Sequence, residues 1–231
     1  MKIVAMIPCR LGSQRIKHKN LRLLEGKTLA QWVASTCKDT GLFSDIYINS
    51  ESDVFEKMAH DIDIKFYKRP EELASNTATN DQFALDFINN IDCDVLVQVN
   101  PTSPFTLKED IINVVNMYKN EDCKTVHTVK NEQIEGLFNG KALNFDEMKP
   151  MPPSQELIPV QIFASSIMLW DTEVFKKNMA ELSCAVYGGS QKIGYYPVKG
   201  AASLDIDNEE DFEMASVIAA STKQEPKYYE E

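Results

Sequence analysis

Positive side chains that could bind phosphate are concentrated at the beginning of the chain. Residues 1–24 contain no acidic residue, and all 35 acidic residues lie further along. The six basic residues there are Lys2, Arg10, Arg15, Lys17, Lys19 and Arg22. Gly12 and Ser13 lie among them and allow close approach to backbone N–H groups. This combination suits a triphosphate, although charge alone leaves chance clustering on a solvated turn as an equal alternative.

Two familiar phosphate-binding motifs are absent from this part of the sequence. The G-x-G-x-x-G pattern of dinucleotide-binding folds does not occur. Gly26-Lys27-Thr28 is similar to the end of a Walker A loop, but the first glycine of that motif would fall on Leu21. The pattern instead indicates a turn that leads into a helix at Leu29.

The elements that position this loop follow from an alternation of β-branched runs with amphipathic stretches. Strands are predicted at Ile3–Ile7, Asp45–Asn49, Ile64–Tyr67, Asp94–Val99, Thr125–Val129, Phe163–Leu169 and Ile193–Val198. Helices are predicted at Leu29–Lys38, Val54–His60, Asp81–Ile91, Glu109–Asn120, Glu173–Asn178 and Glu209–Ala220. This order predicts an α/β fold with a mainly parallel sheet, whose ligands bind beyond the carboxyl ends of the strands.

Composition and charge exclude several classes of protein. The 231 residues are 43% hydrophobic and 26% charged, which is enough to bury a core. A net charge of -11 argues against nucleic-acid binding, and no apolar run is long enough to span a bilayer. The start, Met1–Pro8, is predicted to be a buried strand rather than a signal peptide. Five scattered cysteines favour neither disulfides nor zinc, so a cytoplasmic protein is expected.

One segment interrupts the alternation of strands and helices. Gln133–Pro159 contains four prolines and little helical periodicity, which is typical of a functional arm or lid. Its few apolar residues, Leu137, Phe138, Leu143 and Phe145, predict a short hairpin. We expect a single domain over residues 1–221, with an arm at about 133–159 and a polar, frayed tail at 222–231.

Four sequence blocks occur in the order that is known from one enzyme family. Residues 7–20 read I-P-C-R-L-G-S-Q-R-I-K-H-K-N, close to the pattern I-P-A-R-x-G-S-x-R-x-x-x-K-N. Residues 68–74 (K-R-P-E-E-L-A), 98–104 (Q-V-N-P-T-S-P) and 204–212 (L-D-I-D-N-E-E-D-F) match three shorter and less specific blocks. Together they resemble the CMP-sialic acid synthetase (acylneuraminate cytidylyltransferase) family over nearly the whole chain.

The resemblance implies a Rossmann-like nucleotidyltransferase core that condenses CTP with a nine-carbon 2-keto acid sugar, giving a CMP-sugar and pyrophosphate. In this chemistry, positioning and charge neutralisation matter more than covalent catalysis. The expected catalytic residues are Arg10, Lys19 and Asp207. The expected nucleotide-binding residues are Arg10, Gly12, Ser13, Lys19, Asn20, Arg69, Ala78, Thr79 and Asn100, with Asn80 as a weaker candidate.

The resemblance also implies a metal, an acceptor site and a homodimer. Asp205 and Asp207 would hold Mg²⁺ against the phosphates, since an i, i+2 spacing puts both carboxylates on one face of a strand end. The expected acceptor-binding residues are Gln98, Ser103, Gln161, Phe163 and Ser165. The arm would pack on a second subunit. The expected partners are therefore CTP, a small acidic acceptor and a second copy, with no nucleic acid and no membrane.

The second half of the chain departs from the family pattern. Asn100 replaces a glutamine of the sialate enzymes and a metal-binding aspartate of the related Kdo enzymes, so no second metal site is expected. Thr106 stands in place of an arginine after the Pro-Thr-Ser-Pro turn. Residues 163–166 (F-A-S-S) replace an Arg-Pro-Asn-Gly stretch that faces the sugar. The acceptor could thus be a different acid, such as a modified nonulosonic acid or a phosphonate. A catalytically silent nucleotide-binding homologue is the alternative from another class.

Several candidate residues also have a purely structural interpretation. Asp205 and Asp207 could simply cap the last helix, for which Asn208 is another candidate. Arg69 could form a surface ion pair with one of the glutamates that follow it. Ser103 could belong to an ordinary turn before the helix at Glu109. Retention of the cations and of both aspartates argues against a silent homologue.

Overall fold

Seven strands form the central sheet of the computed structural model, which describes residues 1–189 and 191–221. Together with four short strands outside this sheet, the strands are β1 (Ile3–Pro8), β2 (Leu23–Leu24), β3 (Lys27–Thr28), β4 (Asp45–Ser50), β5 (Lys65–Lys68), β6 (Val95–Val99), β7 (Thr125–Glu132), β8 (Leu137–Phe138), β9 (Lys141–Ala142), β10 (Val160–Asp171) and β11 (Ile193–Pro197). The helices are α1 (Leu29–Thr40), α2 (Asp53–Asp61), α3 (Asn80–Asn90), α4 (Lys108–Asn120), α5 (Thr172–Leu182) and α6 (Glu209–Ala220). The tail predicted at 222–231 lies outside the described residues.

The central sheet is mainly parallel. Its order is β11-β7-β10-β6-β1-β4-β5, and β10 runs antiparallel to both of its neighbours. The other four pairings are parallel, which confirms the α/β class predicted from the sequence. Because β1, β4, β5 and β6 run in the same direction, their carboxyl ends meet at one edge of the sheet.

Apolar side chains cover the sheet on both faces. Successive residues of a strand point to opposite faces, so Ala5 and Ile7 of β1 pack with α1 and α4. Val4 and Met6 of the same strand pack with α3 and α5 on the other face. This burial on two sides explains why β1 and β6 read as continuous apolar runs rather than as alternating ones.

Side-chain caps define where several helices begin. Thr28 and Thr79 begin α1 and α3 with capping boxes, and Asn208 begins α6 in the same way. Gly41 follows the last residue of α1 and caps it, and its φ of 63° favours glycine. The predicted helices are all present, and α5 extends to Leu182, beyond its predicted end. Within residues 1–189 and 191–221, no helix is long and apolar enough to cross a membrane.

The segment predicted to form an arm lies between β7 and β10. The predicted hairpin is present as β8 and β9. β10 begins at Val160, three residues before its predicted start, because its first residues pair with the second half of β7 in a ribbon. Leu137 and Phe138, at the hairpin, leave 62% and 66% of their surfaces exposed.

Candidate functional site

A cleft of about 510 Å³ opens at the edge where the parallel strands end. Its walls are formed by the loop after β1, by the start of α3 with the segment before it, and by the turn after β6. Six residues expected to bind nucleotide line it: Arg10, Ser13, Lys19, Asn20, Arg69 and Asn100. Its position agrees with the rule that open α/β sheets bind ligands beyond the carboxyl ends of their strands.

The loop after β1 directs cationic side chains into this cleft. The Lys19 side chain is only 12% exposed, and its ammonium donates to the carbonyl before Asp207 at 2.6 Å. Arg15 pairs with Asp207 at 2.8 Å. Arg10 reaches across to the side-chain oxygen of Asn76 at 3.2 Å. Cations that converge in this way can bind the oxygens of a polyphosphate.

Uncharged residues shape the same loop. The Asn20 amide is buried and donates to the Arg10 carbonyl at 3.2 Å. The side-chain oxygen of Asn20 is buried without a partner in the protein, so it can accept a hydrogen bond from a ligand. Gly12 lies beside the cleft rather than on its lining, and a Cβ there would meet no atom within 4 Å. The fold itself therefore does not require glycine at this position.

Asp205 and Asp207 lie next to the cationic loop. Asp207 accepts hydrogen bonds from two of the cations. Burial raises the pKa of Asp205, one of whose oxygens has no partner in the protein. Asn208 caps α6, since its side chain accepts a hydrogen bond from the Asp211 N–H at 3.0 Å. The interpretation of Asp205 and Asp207 as helix caps is therefore wrong.

The two carboxylates fit a magnesium ion that shares its coordination with a ligand. Proteins bind Mg²⁺ through one or two carboxylates, and phosphate oxygens or waters complete the octahedron. The unpartnered oxygen of Asp205 is a hard donor that no protein group uses. Across the described part of the chain, no group of three or more His, Cys, Asp or Glu side chains could hold a metal. A nucleotide would therefore have to supply the other donors.

The opposite wall of the cleft is built on Arg69. Its side chain is 3% exposed, pairs with Glu51 at 3.3 Å and donates to the Cys9 carbonyl at 3.3 Å. The guanidinium also lies over the Phe83 ring, 5.1 Å from its centroid. Burial lowers the pKa of Arg69, and the charge of Glu51 opposes that shift. Because Arg69 is inside the cleft, its interpretation as a surface partner of the glutamates after it is wrong.

A row of amides connects the cleft with β10. The Gln98 amide donates to the side-chain oxygen of Asn100 at 2.9 Å, and Asn100 donates to the Ser165 carbonyl at 2.5 Å. Ser165 has a φ of 55° and lies where the pairing of β10 with β7 shifts between Phe163 and Met168. Such a β-bulge bends the strand and changes where its side chains point. Asn100, expected to bind the nucleotide, thus contacts both Gln98 and Ser165, which are expected to bind the acceptor.

Other expected residues lie apart from the cleft. The Thr79 side chain is engaged as the cap of α3, and Ala78 precedes it without lining the cleft. Gln161 donates to the Asn131 side chain on the exposed ribbon of β7 and β10. Ser103 is buried in the turn after β6, and its hydroxyl has no partner in the protein.

Phe163 belongs to an aromatic cluster close to the amide row. Its ring centroid lies 5.4 Å from that of His127, 5.0 Å from Tyr187 and 6.1 Å from Tyr195. The Phe163 and tyrosine rings are exposed, whereas His127 is buried beneath them. Burial lowers the pKa of His127 to about 4, and its Nε2 bonds the Val186 carbonyl at 2.7 Å. The chain has no arginine after residue 69, so none belongs to this region.

Two residues next to the cleft, Glu51 and Phe83, are not predicted from the sequence. Glu51 directly follows β4, whose carboxyl end lies beside that of β1, and this position at a strand end is the signal that could have revealed it. Phe83 lies in the first turn of α3, where a helical pattern alone reads an apolar residue as part of the core.

Comparisons with known proteins agree with the geometry. The sequence profile of a family described as Cytidylyltransferase matches residues 4–145. N-acylneuraminate cytidylyltransferase of Escherichia coli O18:K1:H7 (strain RS218 / NMEC) is 27% identical over 226 residues, which cover 94% of this chain and 52% of that protein. CMP-N,N'-diacetyllegionaminic acid synthase of Legionella pneumophila subsp. pneumophila is 29% identical over 129 residues, which cover 52% of this chain and 54% of that protein. The chain spans about half the length of the curated relatives it matches.

A solved structure shares the fold. CMP:2-keto-3-deoxy-manno-octonic acid synthetase complexed with CTP superposes with a TM-score of 0.74 at 14% sequence identity. The superposition covers 95% of this chain and 99% of the other. This likeness confirms the expected Rossmann-like fold.

Proposed function

The chain belongs to the cytidylyltransferase family, and from this premise we propose that it transfers CMP from CTP to a sialic-acid-like (nonulosonic) acid and releases pyrophosphate. The family match and the sialate relative confirm the resemblance seen in the four sequence blocks. One observation carries the proposal. The cations of the first loop converge on a cleft of about 510 Å³ and lie next to a pair of carboxylates. A triphosphate that carries a metal ion needs both kinds of charge.

The proposed reaction needs positioning and neutralisation of charge. An oxygen of the acceptor forms a bond to the α-phosphorus of CTP, while the bond from that phosphorus to the pyrophosphate oxygen breaks. Arg10 and Lys19 neutralise the charge that grows on the leaving pyrophosphate. Magnesium held by Asp205 and Asp207 would supply Lewis-acid polarisation of the phosphates. Arg15 exchanges its pairing with Asp207 for contact with the triphosphate.

Several uncharged residues of the cleft, together with Arg69, suit the cytidine. Phe83 offers an aromatic face for the base, and the buried oxygen of Asn20 accepts a hydrogen bond. Asn76 can donate from its amide. The Nε of Arg69 is buried without a partner in the protein and remains as a donor. These groups give the nucleoside directional contacts that the triphosphate alone cannot provide.

A second candidate function is cytidylyl transfer to a different acid. Arginine is the preferred bidentate partner of a carboxylate, yet no arginine belongs to the region around β10. Phe163 stands where the family pattern has arginine, and its ring lies in an exposed aromatic cluster. These observations favour a modified nonulosonic acid or a phosphonate with a less polar substituent over N-acetylneuraminate itself.

We further propose that the chain acts as a homodimer. The segment 133–159 leaves several large apolar side chains exposed, namely Ile134, Leu137, Phe138, Leu143, Met148, Met151 and Ile158. Such a concentration is typical of an interaction surface. Sedimentation equilibrium should give twice the mass of the chain, and a variant with Leu137→Ser and Phe138→Ser should be largely monomeric. A monomeric wild type would contradict this proposal. The cytoplasmic location stays a prediction.

Pyrophosphate release tests the proposed reaction. The protein is mixed with CTP, Mg²⁺ and, in turn, each member of a panel of keto acids and phosphonates. We expect release that requires both CTP and one particular acid, together with a product that has the mass of the CMP ester. CTP binding without release for any acid would support a catalytically silent homologue. Absence of CTP binding would refute the assignment of the cleft.

A further inference from the structure

A partly buried carboxylate that does not line the cleft connects its two walls. The Glu51 side chain is 16% exposed and follows β4 directly. Its Oε1 accepts a hydrogen bond from the Leu11 N–H at 2.8 Å, at the start of the cationic loop. Its Oε2 accepts a hydrogen bond from Nη2 of Arg69 at 3.3 Å, on the opposite wall. One side chain therefore contacts both halves of the nucleotide site.

Glu51 fixes one edge of the Arg69 guanidinium. Nη2 is shared between Glu51 and the Cys9 carbonyl, and the Arg69 backbone N–H bonds the Ser50 carbonyl at 2.9 Å. The guanidinium is planar and rigid, so holding one edge determines where its other donors point. Nε is buried without a protein partner, and the side chain lines the cleft. The free Nε–H of Arg69 is thus directed by the contacts made at the neighbouring Nη2.

Glu51 also compensates the charge of Arg69. Burial and the nearby charge of Arg10 lower the pKa of Arg69, and Glu51 is the carboxylate that opposes this effect. An uncompensated buried cation is costly, and a side chain in that state turns toward solvent or toward another anion. Without Glu51, Arg69 would be free to turn away from the base.

We propose that Glu51 is a positioning residue of the nucleotide site, which orients Arg69 toward the cytidine and anchors the triphosphate loop at Leu11. The inference rests on the proposed function, because both concern the same cleft. Glu51 acts through two other groups and touches no substrate. Its effect should appear in the affinity for CTP, whereas a purely stabilising ion pair would change the unfolding temperature alone.

Four variants separate these roles. Glu51→Gln keeps the shape of the side chain and an acceptor for the Leu11 N–H, but it removes the charge that holds Arg69. Arg69→Met removes the partner, and the double variant removes both. Asp53→Asn is the matched control, since Asp53 lies two residues further on and forms an exposed ion pair with Lys68. CTP and inorganic tripolyphosphate are titrated calorimetrically into each variant, and kcat and the KM for CTP are measured.

Glu51→Gln should weaken CTP binding about ten- to a hundredfold, as expected for loss of one charge-assisted contact, and raise the KM more than it lowers kcat. Tripolyphosphate should bind almost as it does to the wild type, because the loop keeps its anchor. The double variant should bind CTP as Arg69→Met does. Asp53→Asn should match the wild type.

Three results would overturn the inference. The first is wild-type CTP affinity and KM in Glu51→Gln. The second is a double variant weaker than Arg69→Met, which would mean independent action. Comparison of the double variant with Arg69→Met also tests the inference if Glu51→Gln alone fails to fold. The third is a wild type that does not bind CTP, which would overturn the proposed function as well and is thereby distinguishable from the first two.

Discussion

The two ends of the site differ in what holds their side chains. At the end proposed to bind the nucleotide, charged groups are paired across long sequence distances, as in Lys19 with Asp207 and Arg69 with Glu51. At the end proposed to bind the acceptor, the rings of Phe163 and Tyr187 are exposed and contact each other, without a paired charge between them. Paired charges tolerate little change, because substitution of one partner leaves the other unpaired. Substitution of an exposed ring changes the size or polarity of the surface and can let it accept a different ligand. This difference is what we expect if the first end binds the nucleotide, as in the family pattern, and the second binds an acceptor particular to this chain.

Removing a carboxylate next to the cationic loop should have the largest effect at the nucleotide end. Asp205→Asn and Asp207→Asn should each lower magnesium-dependent turnover about a hundredfold or more, because the metal provides several kcal/mol of stabilisation in the transition state. The protein should stay folded, since Asn208 caps α6. Turnover across a magnesium titration measures the effect, with Glu210→Gln as the exposed control. Wild-type activity in both aspartate variants would reject the metal role.

Removing a cation should have the next largest effect. Lys19→Ala and Arg10→Ala should each lower kcat/KM for CTP about ten- to a hundredfold, since each loses a charge-assisted phosphate contact. Lys17→Ala is the control, because Lys17 belongs to the same loop but is exposed and does not line the cleft. Steady-state kinetics with unchanged unfolding temperatures would separate binding from folding. Equal losses in all three variants would mean that the loop contributes only general charge.

At the proposed acceptor end, the expected effect is on the preference for the acid substrate. N-acetylneuraminate should be used with a kcat/KM below about 10⁴ M⁻¹s⁻¹, the low end of ordinary enzyme efficiency, because no arginine grips its carboxylate. Phe163→Arg should improve this acceptor several-fold while leaving the KM for CTP unchanged. Tyr195→Phe, which keeps the ring, is the control. Efficient use of N-acetylneuraminate by the wild type would show that a lysine or backbone N–H groups replace the arginine.

The last expected effect is on stability in acid rather than on turnover or binding. His127 has a pKa of about 4 in the folded chain against an ordinary 6.5, so the unfolded chain binds the proton first as the pH falls. The free energy of unfolding should be unaffected above about pH 6.5 and fall by up to about 3 kcal/mol between there and pH 4. His127→Gln should flatten this part of the profile, whereas His60→Gln, at an exposed position, should not. Urea unfolding at several pH values tests this prediction. A free energy of unfolding that falls as steeply with pH in His127→Gln as in the wild type would contradict it.

Local signals in the sequence were sufficient to predict the fold and six of the residues that line the cleft. Continuous apolar runs predicted β1 and β6, and caps such as Asn208 marked where helices begin. The cationic loop was recognisable because its residues are consecutive. β10 began earlier than predicted because its exposed ribbon lacks the buried pattern by which a strand is recognised.

Contacts between distant residues were beyond the sequence. Nothing in the spacing of Glu51 and Arg69 indicates that they meet, because parallel strands bring their ends together only through the order of the sheet. The same holds for Lys19 and Asp207, which are close in space and 188 positions apart in the chain. Contacts between exposed aromatic residues are even harder to predict from the sequence, since the rings carry no charge that would indicate a partner.

Direct titration of CTP tests the central claim, which is that the first loop and its distant partners form a triphosphate site. Calorimetry is carried out on the wild type and on Lys19→Ala, each with and without Mg²⁺. We expect saturable binding at one site per chain, stronger with Mg²⁺, and weaker by about ten- to a hundredfold in Lys19→Ala. Binding that is absent in the wild type, or identical in Lys19→Ala, would contradict it.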